Sequence, residues 1–205
     1  MGLPDTNSAK NAILGAIRAI NIPPAPLPPL QRSEWITYPD PAAQFAIVLA
    51  SIGGTCETVA DTAELNEKLR HLPAFTTARQ IVNLVPHVNL PAEHLLKEQE
   101  IADPHHLVDV DLAIMPGEFA VAENGAVWCV TRHLRHRVLY FITQHLALVV
   151  PREQIVHNMH QAYERLAWGQ AEFGLFLAGP SKTADIEQSL VIGAHGARSL
   201  TVFLV

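Results

Sequence analysis

The chain has 205 residues, 49% of them hydrophobic, with 14 Lys and Arg against 20 Asp and Glu and a formal net charge of -6. That length suffices to bury one sizeable α/β core, whereas the lack of excess cations argues against nucleic acid as the main partner. No basic start followed by an apolar h-region opens the chain, and no apolar run approaches the roughly 20 residues needed to span a bilayer, so no membrane span and a cytoplasmic location are expected.

Ile13, Leu14, Ile17 and Ile20 recur at helical spacing between Asn11 and Ile20, which predicts a short amphipathic helix. Five prolines between Ile22 and Leu30 forbid helix and predict an extended connector. Residues 1–32 therefore read as a helix with a Pro-rich connector, and residues 33–205 as one globular domain. In that domain Pro41 to Ile52 reads as a helix stopped by Gly53-Gly54, and Thr55 to Ala60 as a strand. Asp61 and Glu64 have capping-box spacing, which predicts a helix from Thr62 to about Leu72. Gln80 to Val85 reads as a buried strand closed by Pro86, Ala92 to Glu100 as a short helix, and Leu107 to Met115 as a strand.

Asn124-Gly125 between two apolar runs predicts a hairpin of Phe119 to Glu123 and Ala126 to Val130, with both turn residues at positive φ. Val138 to Val150 holds at least one strand, and Ile155, Val156, Met159, Tyr163 and Leu166 mark an amphipathic helix over Arg152 to Ala167. Finally, Phe173 to Ala178 reads as a strand, Gly179-Pro180 as a tight loop, the next residues as a helix with Asp185 and Glu187 in its first turns, and Ser199 to Val205 as the closing strand. Those last segments together predict a βαβ-type unit. Alternating strands and helices with one β-hairpin give an α/β fold, a single domain in three layers around a mixed, mostly parallel sheet.

Four blocks occur in fixed order: Ala122-Glu-Asn-Gly-Ala126, Gln144-His-Leu-Ala-Leu-Val-Val150, Ala178-Gly-Pro-Ser-Lys-Thr-Ala-Asp-Ile-Glu187 and Gly193-Ala-His-Gly196. Together they resemble the LUD-domain family, in its lactate-utilisation protein C branch, over roughly Ala42 to Val205. The resemblance implies a NagB/RpiA/CoA-transferase-like fold and a bacterial role in oxidising L-lactate to pyruvate beside two companion iron–sulfur proteins. The chain departs from the family pattern at Asn124 (commonly Thr), Lys182 (often Arg) and Ala197 (often Pro). Lys182 keeps the positive charge but not the planar two-pronged donor.

The candidate chemistry gathers at the same blocks. A helix start after Gly179 would offer free N–H groups and a partial positive charge, with Lys182 adding to it, so Gly179, Ser181, Lys182, Thr183, Asp185, Glu187 and Gly196 are expected to bind a small carboxylate or phosphate. The alternative is that Ser181 or Thr183 merely caps the helix. The block is no P-loop, because the residues between Gly174 and Gly179 are strand-like and Pro180 stands where that motif needs Lys. Glu123 is a candidate base or nucleophile, and His195, in a glycine-flanked loop, a candidate catalytic imidazole; both are expected in one cleft with Lys182 and Asp185.

His157 and His160 with Glu153 and Glu164, and Asp103, His105, His106, Asp109 and Asp111, hold ligand-type side chains without a recognised metal spacing, so no metal is expected. Arg132, Arg135 and Arg137 form a cationic run that either docks an acidic partner or is a solvated loop. Cys56 and Cys129 cannot supply the four thiolates of an ordinary iron–sulfur cluster, so no cofactor is expected on this chain and the clusters are expected on its partner proteins. The leading reading is a non-redox component of lactate oxidation. Its rivals are an enzyme for phosphorylated or CoA-linked compounds using Glu123, and a docking scaffold.

Overall fold

The structure, a computed structural model, describes residues 6–20, 25–26, 34–132, 134–166, 173–186, 189–193 and 195–205. It separates into two units, Met1–Glu34 and Trp35–Val205. The first holds helix α1 (Thr6–Ala19), on which Ile13 and Ile17 are exposed.

The second unit begins with α2 (Pro41–Ser51), where the Asp40 carboxylate accepts from the Ala43 N–H at 3.0 Å and proline occupies the first turn. Both features suit a helix start, and the helix buries Phe45 and Leu49. Strand β1 (Thr55–Thr58) leads to α3 (Thr62–His71). There Asp61 accepts from the Glu64 N–H at 2.9 Å while Glu64 reaches back to the Ala60 N–H at 2.8 Å. The expected capping box thus closes one residue further back on its return arm. After α4 (Pro73–Thr77) and β2 (Ile81–Asn83), the stretch expected to hold a short helix forms 3-10 turns at Ala92–His94 and Glu98–Glu100, followed by another at Pro104–Leu107.

Next come β3 (Leu112–Pro116), β4 (Phe119–Val121), β5 (Ala126–Val130), α5 (Leu139–Ile142) and β6 (His145–Val150). The chain continues through β7 (Ile155–Val156), α6 (Met159–Arg165), β8 (Gly174–Ala178), β9 (Lys182–Ile186), β10 (Ser189–Ile192) and β11 (Ser199–Leu204).

A five-stranded parallel sheet has the order β1-β11-β6-β3-β2, and a four-stranded mixed sheet the order β7-β4-β5-β8. Side-chain alternation sorts each parallel strand between two cores. Leu146, Leu148 and Val150, with Leu200, Val202 and Leu204, pack with Phe45 and Leu49 and with Val127 and Cys129 of the mixed sheet. Ala147, Phe203, Leu112 and Ile114 pack on the other face with Leu65 and Leu69 of α3. A third core places Phe119, Val121 and Ala126 with Ala162 of α6. Both faces of the parallel sheet are thus covered, which is why its strands read as nearly continuous apolar runs. Burying one such leucine is worth about 1.5–3 kcal/mol.

Further expectations change. The hairpin forms, but its turn spans residues 122–125 and, among the described non-glycine residues, only His87 has positive φ, so Gly125 (φ 68) alone supplies the left-handed position. The Arg152 to Ala167 segment divides, because Ile155 and Val156 extend the mixed sheet beside Ala120 and Val121, and Asn158 then starts α6 by accepting from the Gln161 N–H at 3.0 Å. Most consequentially, no helix follows Gly179. Lys182 and Thr183 pair instead with Ile192 and Val191 in an antiparallel ribbon, where β-branched residues find a ladder that overrides helix propensity. Strands β8 and β11 belong to different sheets, so no βαβ unit joins them.

Candidate functional site

Strand β8 ends where Ala178 pairs with Ala126, which sets Gly179 close to the hairpin turn at Gly125. Gly179 takes φ 76, and a Cβ there would lie 2.9 Å from the Ile52 carbonyl oxygen. The turn therefore needs glycine for its conformation and for its close approach to the end of α2. Ser181 then fastens the second block: its N–H donates to the Ala197 carbonyl at 2.8 Å, and its carbonyl accepts from the Gly193 N–H at 2.9 Å. Gly196 lies so near that a Cβ would stand 2.9 Å from Ser181 Cβ and 3.2 Å from the Phe141 carbonyl.

These contacts bring Gly179, Ser181, His195 and Gly196 to the lining of one cavity of about 230 Å³. Tyr140, Phe141, Leu146 and Phe176 supply much of its apolar wall. An apolar concavity with a few convergent polar groups is the usual form of a small-molecule site; here the polar side chains are the Ser181 hydroxyl and the exposed His195 imidazole.

The remaining residues of the block take other positions. The Lys182 ammonium donates to the Ile52 carbonyl, where a cation complements the negative end of α2. Thr183 sits in the β9–β10 ladder. Asp185 lies in β9 with its side chain outside the described set, and Glu187 lies outside the described residues. With no helix after Gly179, the expected helix-terminus anion site is absent from this loop. Glu123 does not line the cavity; its carboxylate accepts from the Met159 N–H at 2.8 Å, at the first turn of α6.

A family model for the LUD domain matches residues 83–205. The chain belongs to the LUD domain family. Among its relatives, the lactate utilization protein C of Geobacillus thermodenitrificans is 31% identical over 101 residues, which cover 46% of this chain and 42% of that protein. The lactate utilization protein C 1 of Bacillus mycoides is 33% identical over 93 residues, covering 42% of this chain and 39% of that protein. The matched stretch thus spans about two fifths of these curated relatives. A crystal structure of a DUF162 family protein from Deinococcus radiodurans superposes with a TM-score of 0.59 at 21% identity, covering 86% of this chain and 99% of that one, which shows a shared α/β fold.

Elsewhere in the second unit, the candidate ligand-type clusters disperse. His157 Nδ1 accepts from the Tyr38 N–H at 3.1 Å, and His160 stacks on Trp35 with ring centroids 4.5 Å apart. Asp103 accepts from His105 at its N–H and its ring, which lowers the Asp103 pKa. Asp111 instead accepts from the N–H groups of Arg79 and Gln80. Among the described residues no three His, Cys, Asp or Glu side chains gather as they would around a metal ion, and no helix is long and apolar enough to cross a membrane. Within the cationic run, Arg135 donates to the Gln99 carbonyl and Arg137 lies over the Phe173 ring.

Two larger cavities, of about 710 and 730 Å³, lie along the edge where the parallel strands begin, and His145 borders both. Volume alone would favour them, but they contain no residue of the Gly179 to Glu187 or Gly193 to Gly196 blocks. The aromatic walls of the motif cavity escaped the sequence reading because Tyr140, Phe141 and Phe176 look like ordinary core residues. A polar residue opening an apolar run, as His145 does, was the available signal for the other edge.

Proposed function

We propose that this LUD domain is a non-redox component of bacterial L-lactate utilisation, acting beside iron–sulfur partner proteins, and that it holds the substrate or product carboxylate in the Ser181–His195 cavity. The observation that carries this reading is the Ser181 to Ala197 clamp, which folds two neighbouring motif blocks back on each other so that both line one cavity. Lactate and pyruvate each present a carboxylate and a second oxygen at one end and a methyl group at the other. The Ser181 hydroxyl and His195 imidazole suit the polar end, and Phe141, Tyr140 and Leu146 suit the methyl group. Two cysteines, set in different sheets at Cys56 and Cys129, are fewer than the four thiolates of an ordinary cluster, which supports the proposed division of labour. The names of the curated relatives support the pathway. The engagement of Glu123 with α6 tells against a transferase that uses this carboxylate as its nucleophile.

A strain lacking the gene, grown on L-lactate and complemented with variants, tests both parts. The native chain is expected to restore growth, and a folded Ser181→Ala, His195→Ala chain to fail. Full rescue by that double variant would remove the cavity from the proposal, while normal lactate growth of the deletion strain would remove the pathway itself.

A further inference from the structure

We propose that Ser199 and His145 form a nucleophile–base pair in a second small-molecule site, separate from the Ser181–His195 cavity, that takes an ester or thioester. His145 opens β6 and Ser199 opens β11, and the two are paired in register. Cross-strand partners stand side by side on one face of a sheet, and here His145 Nδ1 lies 2.8 Å from Ser199 Oγ. That face looks toward α3, across the cavity of about 710 Å³ that Ser199 helps to line. Such a volume falls within the range of small-molecule sites. Thr55, Thr201, Leu72 and Phe203 share the lining with the carboxylates of Glu57, Glu64 and Glu67 and with Lys68.

On its other side the imidazole borders the polar cleft of about 730 Å³, which carries Arg79 and Arg198 together with Asp109 and Asp111. The pair therefore sits where a cavity of mixed lining meets a polar cleft that carries both charges. Burial first, and then the Arg198 guanidinium, hold the His145 pKa below the ordinary histidine value against the opposing effect of Asp111. At neutral pH the ring is accordingly uncharged and keeps a lone pair for the serine proton, as a general base requires.

The chemistry balances with water alone. Ser199 Oγ attacks the acyl carbon while its proton passes to His145 Nδ1. The departing alcohol or thiol takes that proton as its bond to the acyl carbon breaks. Water, losing a proton to the same imidazole, then attacks the acyl carbon; the bond to Ser199 Oγ breaks, the imidazole returns the proton to that oxygen, and the acid leaves.

A fluorophosphonate probe applied to the whole chain tests the assignment, with the adduct located by peptide mass spectrometry. The native protein is expected to be labelled at Ser199, and the same protein unfolded in urea to take no label there. The His145→Asn variant is expected to label at least ~100-fold more slowly, the lower range of a general base's contribution. No adduct at Ser199 in the native chain would overturn the proposal, as would equal labelling of native and unfolded chains. Should His145→Asn fail to fold, the native-against-unfolded comparison still decides.

Discussion

The Ser181 N–H donates to the Ala197 carbonyl at 2.8 Å, and beside this bond Gly196 has no room for a side chain unless its neighbours shift. A Gly196→Ala methyl would meet Ser181 Cβ at 2.9 Å and the Phe141 carbonyl at 3.2 Å. Overpacking of this kind costs about 1–3 kcal/mol. The unfolding free energy should fall by that amount, read as a lower urea midpoint at unchanged m-value, and lactate growth should fall with it.

Gly179 is constrained twice, by φ 76 and by the Ile52 carbonyl 2.9 Å from any added Cβ. The left-handed conformation alone costs a non-glycine residue about 1–2 kcal/mol. Gly179→Ala should lower Tm by several degrees in calorimetry, since each kcal/mol shifts Tm by roughly 2–4 °C in a protein of this size. A Gly15→Ala change in α1, where an added Cβ meets nothing within 4 Å, should instead raise helicity.

The Glu123 carboxylate accepts from the Met159 N–H at 2.8 Å, so its expected loss is one of stability. Glu123→Ala should cost about 1 kcal/mol, as lost helix caps do, while Glu123→Gln keeps an acceptor and costs less. Both variants should support growth on L-lactate. An abrupt loss of growth with Glu123→Gln at unchanged stability would mean that the carboxylate reacts.

Burial, followed by the neighbouring Glu57 carboxylate, pushes the Cys56 thiol up to about 11, and deeper burial raises Cys129 as well. Neither is a thiolate near neutral pH, so iodoacetamide should modify both slowly in the folded protein and quickly in urea. Fast alkylation of Cys56 at pH 7.5 without denaturant would contradict its placement in β1.

His145 has a lowered pKa in the fold, caused first by burial and then by Arg198. Below the unfolded value of about 6.5 the unfolded chain binds more protons, so stability contributed by this group is fully present above that pH and is lost as pH falls toward the folded pKa. Denaturation curves between pH 7.5 and 5 should show a smaller loss of stability for His145→Gln than for the native chain.

Local signals were legible where they act within a few residues. Asp61 and Glu64 begin α3, Asp40 and Pro41 begin α2, and Asn124-Gly125 marks a real hairpin, because a cap or turn is completed by atoms at most four positions away. The motif blocks identified the family, and Ser181, His195 and Gly196 do meet at one cavity. Lys182 shows the limit of such reading, since its partner is the carbonyl of Ile52, 130 residues earlier.

From residue order alone follow the capped helices, the apolar strands, the hairpin and the family, all of which rest on short-range chemistry and patterning. Packing decided the rest. Ser181-Lys182-Thr183 has enough polar and helix-compatible character to suggest a helix start, yet Val191 and Ile192 offer it a ladder, and pairing satisfies the backbone of both segments at once. Phe173 to Ala178 and Ser199 to Val205 are equally apolar; only the neighbours available to each place β8 beside β5 and β11 beside β6. That assignment sets Gly179 against Ile52 and Ser181 against Ala197, and so creates the cavity, because hydrogen-bond partners across a sheet are chosen by the burial of whole strands rather than by any residue within them.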